Sequence, residues 1–262
     1  MKRLDCLQRI AILALVVVPL LAAPVLAHEV EEEEAPPEPN WKSALGLSYV
    51  GTSGNTDTSS FGLDLDVERR PAPWGLNLLA TFTRAEDGAT LTAEQYLVGA
   101  RATRELSERW SLFAGASWAR DTFGGFENRW IGEVGAAYLA VDSDRHTLSF
   151  DLGLTWTSED RIFTDDDTGL EFTETVDWFG AVAGLDWEWK FSKNASLTER
   201  LLFYPNFDDS SDWRVGSDTA VQASLTELLA LKFSYLVRHR NKPIDDLKKT
   251  DTTTKVSVVL NF

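Results

Sequence analysis

Apolar and polar side chains alternate with a period of two along most of the chain from Trp41 onward. Two segments show the pattern clearly, with apolar rows at Phe61, Leu63, Leu65 and Val67 and at Leu148, Phe150, Leu152, Leu154 and Trp156. Successive side chains of a β-strand point to opposite faces of the sheet, so the alternation predicts strands with one apolar and one polar face.

Twelve such segments follow one another along the chain. They begin near Trp41, Thr58, Trp74, Leu91, Trp110, Asn128, His146, Thr175, Ala195, Trp213, Leu229 and Thr252. Most extend over about ten residues or more, which is the length that a tilted strand needs to cross the hydrocarbon layer of a membrane. Single-chain barrels of bacterial outer membranes have an even number of strands, as this chain does.

The connections between the segments differ in a regular way. Those after the even-numbered strands are tight, at residues 70–73, 105–109, 142–145, 192–194 and 225–227. Those after the odd-numbered strands are mostly longer and more polar, at residues 51–57, 85–90, 121–127, 158–174, 206–212 and 241–251. This asymmetry predicts an all-β, transmembrane, antiparallel up-and-down β-barrel of about twelve strands, with both termini in the periplasm. A soluble β-sandwich would not explain it.

Aromatic residues support a membrane barrel. Many of the ten Trp residues fall near predicted strand ends, where their amphipathic rings favour the membrane–water interface. The last strand alternates apolar residues up to the chain end, and it predicts a signal for the barrel assembly machinery at Val256, Val258, Leu260 and Phe262.

The first forty residues predict two segments outside the barrel. Residues 1–27 have a basic start, an apolar run and the exit Val25-Leu26-Ala27, which together predict a signal peptide cleaved after Ala27. A permanent membrane anchor is the less favoured alternative. Residues 28–40 are acidic and rich in Pro, which predicts a disordered tail. The barrel is then expected to span residues 41–262.

Composition excludes several classes of function. The chain has 25 basic and 41 acidic residues and a net charge of −16, which argues against nucleic acid as a partner. Its single cysteine excludes a disulfide framework and a Cys-based zinc site. The expected partners are outer-membrane lipid and lipopolysaccharide and the barrel assembly machinery, with a monomer as the default state.

Short motifs occur in a fixed order along the predicted barrel. They are Gly54-Asn55-Thr56-Asp57, Arg120-Asp121-Thr122-Phe123-Gly124, Asp186-Trp187-Glu188-Trp189-Lys190, Tyr204-Pro205-Asn206-Phe207-Asp208-Asp209, Ser211-Asp212-Trp213-Arg214 and Lys249-Thr250-Asp251-Thr252-Thr253. In this order the chain resembles the domain-of-unknown-function 481 family, described as salt-induced outer-membrane proteins. The resemblance covers roughly residues 41–262. It implies an outer-membrane β-barrel of a Gram-negative bacterium, linked to salt or osmotic stress. The family carries no established catalytic or ligand residues, so none is transferred.

The polar rows are expected to face the barrel interior. The predicted lumen-facing charges are Asp64, Asp66, Glu68, Arg101, Glu133, Asp151, Asp186, Arg214, Lys232, Arg238 and Lys255. For strand nine the pattern leaves open whether Thr198, Arg200 and Tyr204 or Glu199 face inward. One hypothesis is a narrow, porin-like pore, whose opposed acidic and basic rows could orient ions or small polar solutes. The alternative is a closed barrel in which these charges pair, acting as a structural or adhesive protein through its outer loops.

Enzymatic and metal-binding functions are disfavoured. The predicted mature chain has His28, His146 and His239, but no motif such as G-x-S-x-G supports a hydroxyl nucleophile, so we expect no enzyme. Asp residues 165–167, 208, 209 and 212 could bind Ca²⁺, but their spacing does not match an EF-hand. Solvated acidic loops are the favoured interpretation, and no cofactor is expected.

Overall fold

The structure is a computed structural model and describes residues 41–52, 58–69, 72–165, 167–244 and 247–262. The predicted signal peptide and acidic tail therefore lie outside the described residues and stay predictions. The strands are β1 (Trp41–Thr52), β2 (Thr58–Arg69), β3 (Trp74–Asp87), β4 (Thr90–Glu105), β5 (Trp110–Asp121), β6 (Phe126–Asp142), β7 (His146–Thr164), β8 (Glu171–Trp189), β9 (Ala195–Tyr204), β10 (Arg214–Ser224), β11 (Leu229–Arg240) and β12 (Thr250–Asn261).

The twelve strands form one closed antiparallel barrel, as the alternation predicts. Each strand pairs with its neighbours in sequence, and β1 pairs with β12 to close the ring. The closure runs from Ala44 opposite Asn261 to Leu47 opposite Val258. Ser43 extends it, because its backbone exchanges two hydrogen bonds with Phe262, of 2.8 and 2.9 Å. The fold class inferred from the sequence is confirmed.

The two ends of the barrel differ. The terminal rim carries the first strand residue Trp41, the chain end Phe262 and the turns after even-numbered strands, all of which are short. The loop rim carries the connections after odd-numbered strands. Two of these, residues 205–213 and 241–249, are long, but β3 and β4 are joined by a tight turn in which Gly88 has a φ of +59°. The predicted difference in loop length is therefore concentrated in the later connections.

The β7–β8 hairpin departs from the sequence prediction. Residues 158–174 were expected to form a loop, but pairing continues to Thr164 opposite Glu171. Polar side chains occupy both faces of this extension, so it lacks the alternation that marks a strand against lipid. Backbone pairing continues the ladder there, and it is joined by the stacked rings of Phe163 and Phe172, 5.7 Å apart.

The outer face of the barrel is apolar. Leu152 on β7 is 67% exposed, and Phe179 on the adjacent β8 is 65% exposed. So large a display of apolar side chains is unfavourable in water and is expected of a surface that faces lipid. Among the described residues, no helix is long and apolar enough to cross a bilayer.

Aromatic side chains form a girdle near each rim. On the loop-rim side, rings 5.0–6.5 Å apart run over the outer face from β2 to β6, at Phe61, Phe82, Tyr96, Trp118 and Trp130. On the terminal-rim side, Trp110 packs on Tyr138 at 4.8 Å and Trp187 stacks on Trp189 at 6.4 Å. Two such girdles bound the apolar band of a transmembrane barrel.

We expect the variant Leu152→Arg to destabilise the folded barrel by about 2–4 kcal/mol, because it places a guanidinium in the hydrocarbon layer. Urea unfolding of protein refolded in lipid vesicles measures the change. The matched control is Leu106→Arg in the β4–β5 turn, where Leu106 is exposed beyond the strands and the cost should be within about 1 kcal/mol. Equal costs at both sites would contradict the assignment of the lipid-facing surface.

Candidate functional site in the barrel lumen

Contacts between strands that are not neighbours show which side chains face the interior. Arg101 on β4 places its Nη2 2.6 Å from Asp151 Oδ2 on β7, and Lys255 on β12 places its Nζ 3.2 Å from Asp64 Oδ1 on β2. The pairing of the strands places the other predicted lumen charges on the same face of the sheet as these residues: Asp66, Glu68, Glu133, Asp186, Arg214, Lys232 and Arg238. The inner wall is therefore charged.

The middle of the lumen is filled around Arg101. Besides Asp151, its guanidinium contacts Glu133, with Nη1 3.7 Å from Oε1. It also lies 3.7 Å from the centroid of the Phe113 ring, which is almost completely buried. The ring rests on Gly135, where a Cβ would come within 2.6 Å of Phe113 Cζ. Gly135 is the cross-strand partner of Phe113 on the adjacent strand β6, and its lack of a side chain makes room for the aromatic ring.

Two further ion pairs line the wall beside this centre. Arg200 Nε lies 3.4 Å from Asp186 Oδ1, and Arg238 Nη1 lies 2.5 Å from Asp218 Oδ1. All four side chains remain about half exposed, so each pair contributes little to stability. Arg200 faces inward, which resolves the orientation of strand nine. Its neighbour Glu199 lies on the outer face.

Glu199 is a carboxylate on the lipid-facing surface. It accepts hydrogen bonds from two hydroxyls of the adjacent strand, from Ser217 Oγ at 2.7 Å and from Thr219 Oγ1. These donors replace part of the hydration that the carboxylate loses on a lipid-facing wall.

A dense group of charges lies toward the loop rim, and we call it the arginine network: Arg129, Arg161, Arg214 and Arg240 with Glu159 and Asp212. Its centre is Glu159 on β7, whose side chain is 0% exposed. Glu159 Oε2 accepts from Arg129 Nε on β6, while Oε1 lies 2.8 Å from Arg161 Nε and 2.9 Å from Arg240 Nη1. Because β7 and β11 are four strands apart, the last contact crosses the lumen.

Asp212 enters the network from the β9–β10 connection. Its carboxylate lies 2.9 Å from Arg161 Nη2 and 3.3 Å from Arg240 Nε, and its side chain is 4% exposed. The sequence interpretation of this segment as a solvated acidic loop is wrong for Asp212, because two arginines draw the carboxylate inward. Asp212 therefore links β7 to β11 through its contacts with Arg161 and Arg240.

The other loop acids are engaged locally. Asp209 lies 2.6 Å from Lys242 Nζ, and this hydrogen bond, with those from Ser211, holds the pKa of the Asp209 carboxyl well below its ordinary value. Asp165 accepts from the hydroxyl and backbone N–H of Thr168, each at 2.8 Å, which lowers its pKa as well. Within the described ranges, no group of three or more His, Cys, Asp and Glu side chains is arranged to hold a metal ion.

Arg214 differs from the other three arginines. Its guanidinium lies 5.4 Å from the Trp178 ring and 5.5 Å from the Tyr204 ring, and no described carboxylate lies within 4 Å of it. On the adjacent strand, Arg240 stands directly opposite. Like charges in directly opposed positions of a sheet repel each other.

Two residues of the β11–β12 connection reach across the mouth of the barrel at the loop rim. Ile244 is 3% exposed, and with Leu247 it packs on Gly125 of the β5–β6 turn, on the opposite side of the ring. A Cβ on Gly125 would lie 2.8 Å from Leu247 Cδ1. Gly125 also has a φ of +84°, which favours glycine.

The terminal rim, by contrast, opens into a cavity of about 370 Å³. Its charged lining consists of Asp66, Glu68, Glu227 and Lys42, together with Phe262 at the chain end. We call this cavity, with three acidic residues and one lysine, the vestibule; the arginine network lies toward the opposite end of the barrel.

The two histidines of the barrel lie outside the lumen. His146 stacks on Trp187 at the terminal rim, with centroids 6.2 Å apart, and His239 Nδ1 lies 2.8 Å from Thr250 Oγ1 on the outer face. The residues of the predicted assembly signal are also outside: Val256, Val258 and Leu260 are exposed on β12, and Phe262 follows its end. Their role in assembly stays a prediction.

Sequence reasoning missed most of the arginine network. Arg129 shares its parity on β6 with Glu133, and Arg240 shares its parity on β11 with Arg238, so extending the predicted rows would have found both. Glu159, Arg161 and Asp212 carried no such signal, because they were assigned to loops. Arg214 was predicted to face inward, and it lies in the network.

The chain is similar to one protein family and to one curated protein. Residues 45–262 match a family described as "Protein of unknown function, DUF481". An uncharacterized protein of Escherichia coli (strain K12), YdiY, is 25% identical over 237 residues, covering 87% of this chain and 86% of the relative.

Solved structures with a similar barrel are more distant. An outer-membrane channel from Pseudomonas putida F1 gives a TM-score of 0.49 at 13% identity, covering 90% of this chain and all of that chain. The translocator domain of the autotransporter NalP from Neisseria meningitidis gives 0.47 at 11% identity, covering 97% and 94%.

We expect Glu159→Gln to cost about 3–5 kcal/mol of folding stability, because it leaves buried guanidinium groups without their shared counter-charge. Denaturant unfolding of the refolded barrel measures the loss. The matched control is Asp218→Asn, which breaks the half-exposed pair with Arg238 and should cost about 0–1 kcal/mol. A loss of 1 kcal/mol or less for Glu159→Gln would contradict the central role of Glu159.

Proposed function

The chain belongs to the DUF481 family, and we propose that it is an outer-membrane β-barrel of a bacterium that works as a narrow pore for ions or small polar solutes. In this proposal the terminal rim faces the periplasm and the vestibule is the wide end of the path. The arginine network forms its constriction.

The observation that carries the proposal is the charged inner wall, which runs from the carboxylates at the terminal rim to the arginine network toward the loop rim. A barrel needed only as a membrane anchor could fill its interior with apolar side chains, and this one carries ionisable groups from Asp66 near the terminal rim to Arg240 near the loop rim. Rings of charged side chains are how many pores select ions. A barrel of twelve strands encloses a lumen that is wider than that of the filled eight-stranded barrels and narrower than that of the open sixteen-stranded porins.

A closed barrel is the second candidate, and specific contacts favour it. Phe113 and Arg101 occupy the middle of the lumen, Glu159 and Arg240 meet across it, and Ile244 packs over the mouth. Such a barrel would act through its outer connections as a structural or adhesive protein. A link to salt or osmotic stress, which the family resemblance implies, is compatible with either function and stays a prediction.

Conductance in a planar lipid bilayer distinguishes the two. For a pore, we expect discrete and reproducible current steps from the refolded protein, smaller than those of open sixteen-stranded porins because of the constriction. Folding is checked beforehand by heat-modifiable gel migration. A silent bilayer from folded protein would contradict the pore and favour the closed barrel.

Ion selectivity tests whether the lumen carries the current. We expect the double variant Asp64→Asn/Asp66→Asn to shift the reversal potential in a salt gradient toward anion preference, because two carboxylates of the inner wall are lost. The matched control is Asp142→Asn/Asp144→Asn, which removes two charges at the exposed β6–β7 turn. Indistinguishable shifts in the two double variants would argue against a path along the inner wall.

A further inference from the structure

The arginine network carries more positive than negative charge. Four guanidinium groups meet two carboxylates, those of Glu159 and Asp212. Both oxygens of Glu159 are already bound by arginines, and the oxygens of Asp212 face Arg161 and Arg240. The two carboxylates are therefore committed to three of the four arginines.

A third carboxylate nearby is also committed elsewhere. Asp121 on β5 accepts a hydrogen bond from the Gly124 backbone N–H at 2.7 Å and another from Gln95 Nε2 at 2.8 Å. It makes no ion pair with the network among the described residues. Arg214 is therefore the arginine of the network that has no carboxylate partner among the described residues.

The surroundings of Arg214 leave one kind of contact open. Trp178 and Tyr204 lie beside its guanidinium, and these aromatic contacts stabilise the cation without satisfying its N–H donors. Among the described residues, no acceptor lies within hydrogen-bond distance of those donors. A guanidinium presents its donors as a planar fork that matches an oxyanion.

We propose that the arginine network is a binding site for a small oxyanion, a carboxylate, sulfate or phosphate group, held by Arg214 and the opposed Arg240. The anion would separate two like charges that face each other on adjacent strands, and it would supply the acceptors that Arg214 lacks. Glu159 and Asp212 position the site by fixing Arg240 from its other side.

The role of this site rests on the proposed function, because an anion that moves through the pore would bind there on its way. Binding itself does not require conduction, so it can be measured separately. Isothermal titration calorimetry of sodium sulfate into the refolded full barrel in detergent, with ionic strength held constant by sodium chloride, measures it. We expect saturable binding to one site.

The variant Arg214→Gln should weaken sulfate binding at least tenfold. The matched control is Arg238→Gln, which removes a lumenal arginine already paired with Asp218 and should leave sulfate affinity within twofold of the unaltered protein. Without sulfate, Arg214→Gln should unfold at the same or a higher denaturant concentration, because it relieves the repulsion by Arg240. A purely structural arginine would instead lose stability on this substitution.

The results of these experiments test the anion site independently of the proposed pore. Absence of saturable sulfate heat, or equal affinity in Arg214→Gln, would overturn the anion site whether or not the barrel conducts. Saturable binding that Arg214→Gln abolishes supports the site even if the bilayer is silent, and in that case only the pore fails. Equal weakening by Arg214→Gln and Arg238→Gln would also overturn the site, because it would indicate a diffuse response to lumenal charge.

Discussion

The structure depends on one constraint, that no backbone polar group can remain unpaired in hydrocarbon. A sheet meets it only by closing on itself, and here the pairing of β1 with β12 removes the last free edge. Closure then divides every strand into an outward and an inward set of side chains. The outward set must suit lipid, so the chemistry is concentrated in the inward set.

Inward charges bring a second requirement, because charges removed from water need counter-charges. The balance between positive and negative side chains differs from one part of the barrel axis to another. In the middle, Arg101 lies between Asp151 and Glu133, and Lys255 meets Asp64, so positive charge is well compensated. Toward the loop rim, the network gathers four arginines around two acids. This difference, rather than the presence of charges, makes the network a candidate site.

The sequence predicts the wall of the barrel better than its interior contacts. A period of two can be recognised from residue types alone. The predicted starts of β1, β5 and β11 therefore coincide with the observed ones, at Trp41, Trp110 and Leu229. The same alternation assigned Arg101 and Arg214 to the inner face. Which charges meet across the lumen depends on strand tilt and stagger, which the pattern does not contain. The contact of Glu159 with Arg240 arises in this way, and Asp212 joins it only because its loop folds inward.

The order of charge along the axis makes the two ends of the barrel chemically different. The vestibule at the terminal rim carries Asp66, Glu68 and Glu227 against Lys42, and the network at the opposite end has excess arginine. In the proposed pore, a cation would be attracted to one end and an anion to the other, and each would meet the opposite sign of potential farther along. In a wide, water-filled channel these potentials would be screened within about 8 Å at physiological ionic strength. In a lumen narrowed by Phe113 and Ile244, screening is weaker, so the asymmetry of the wall would act directly on any ion that enters.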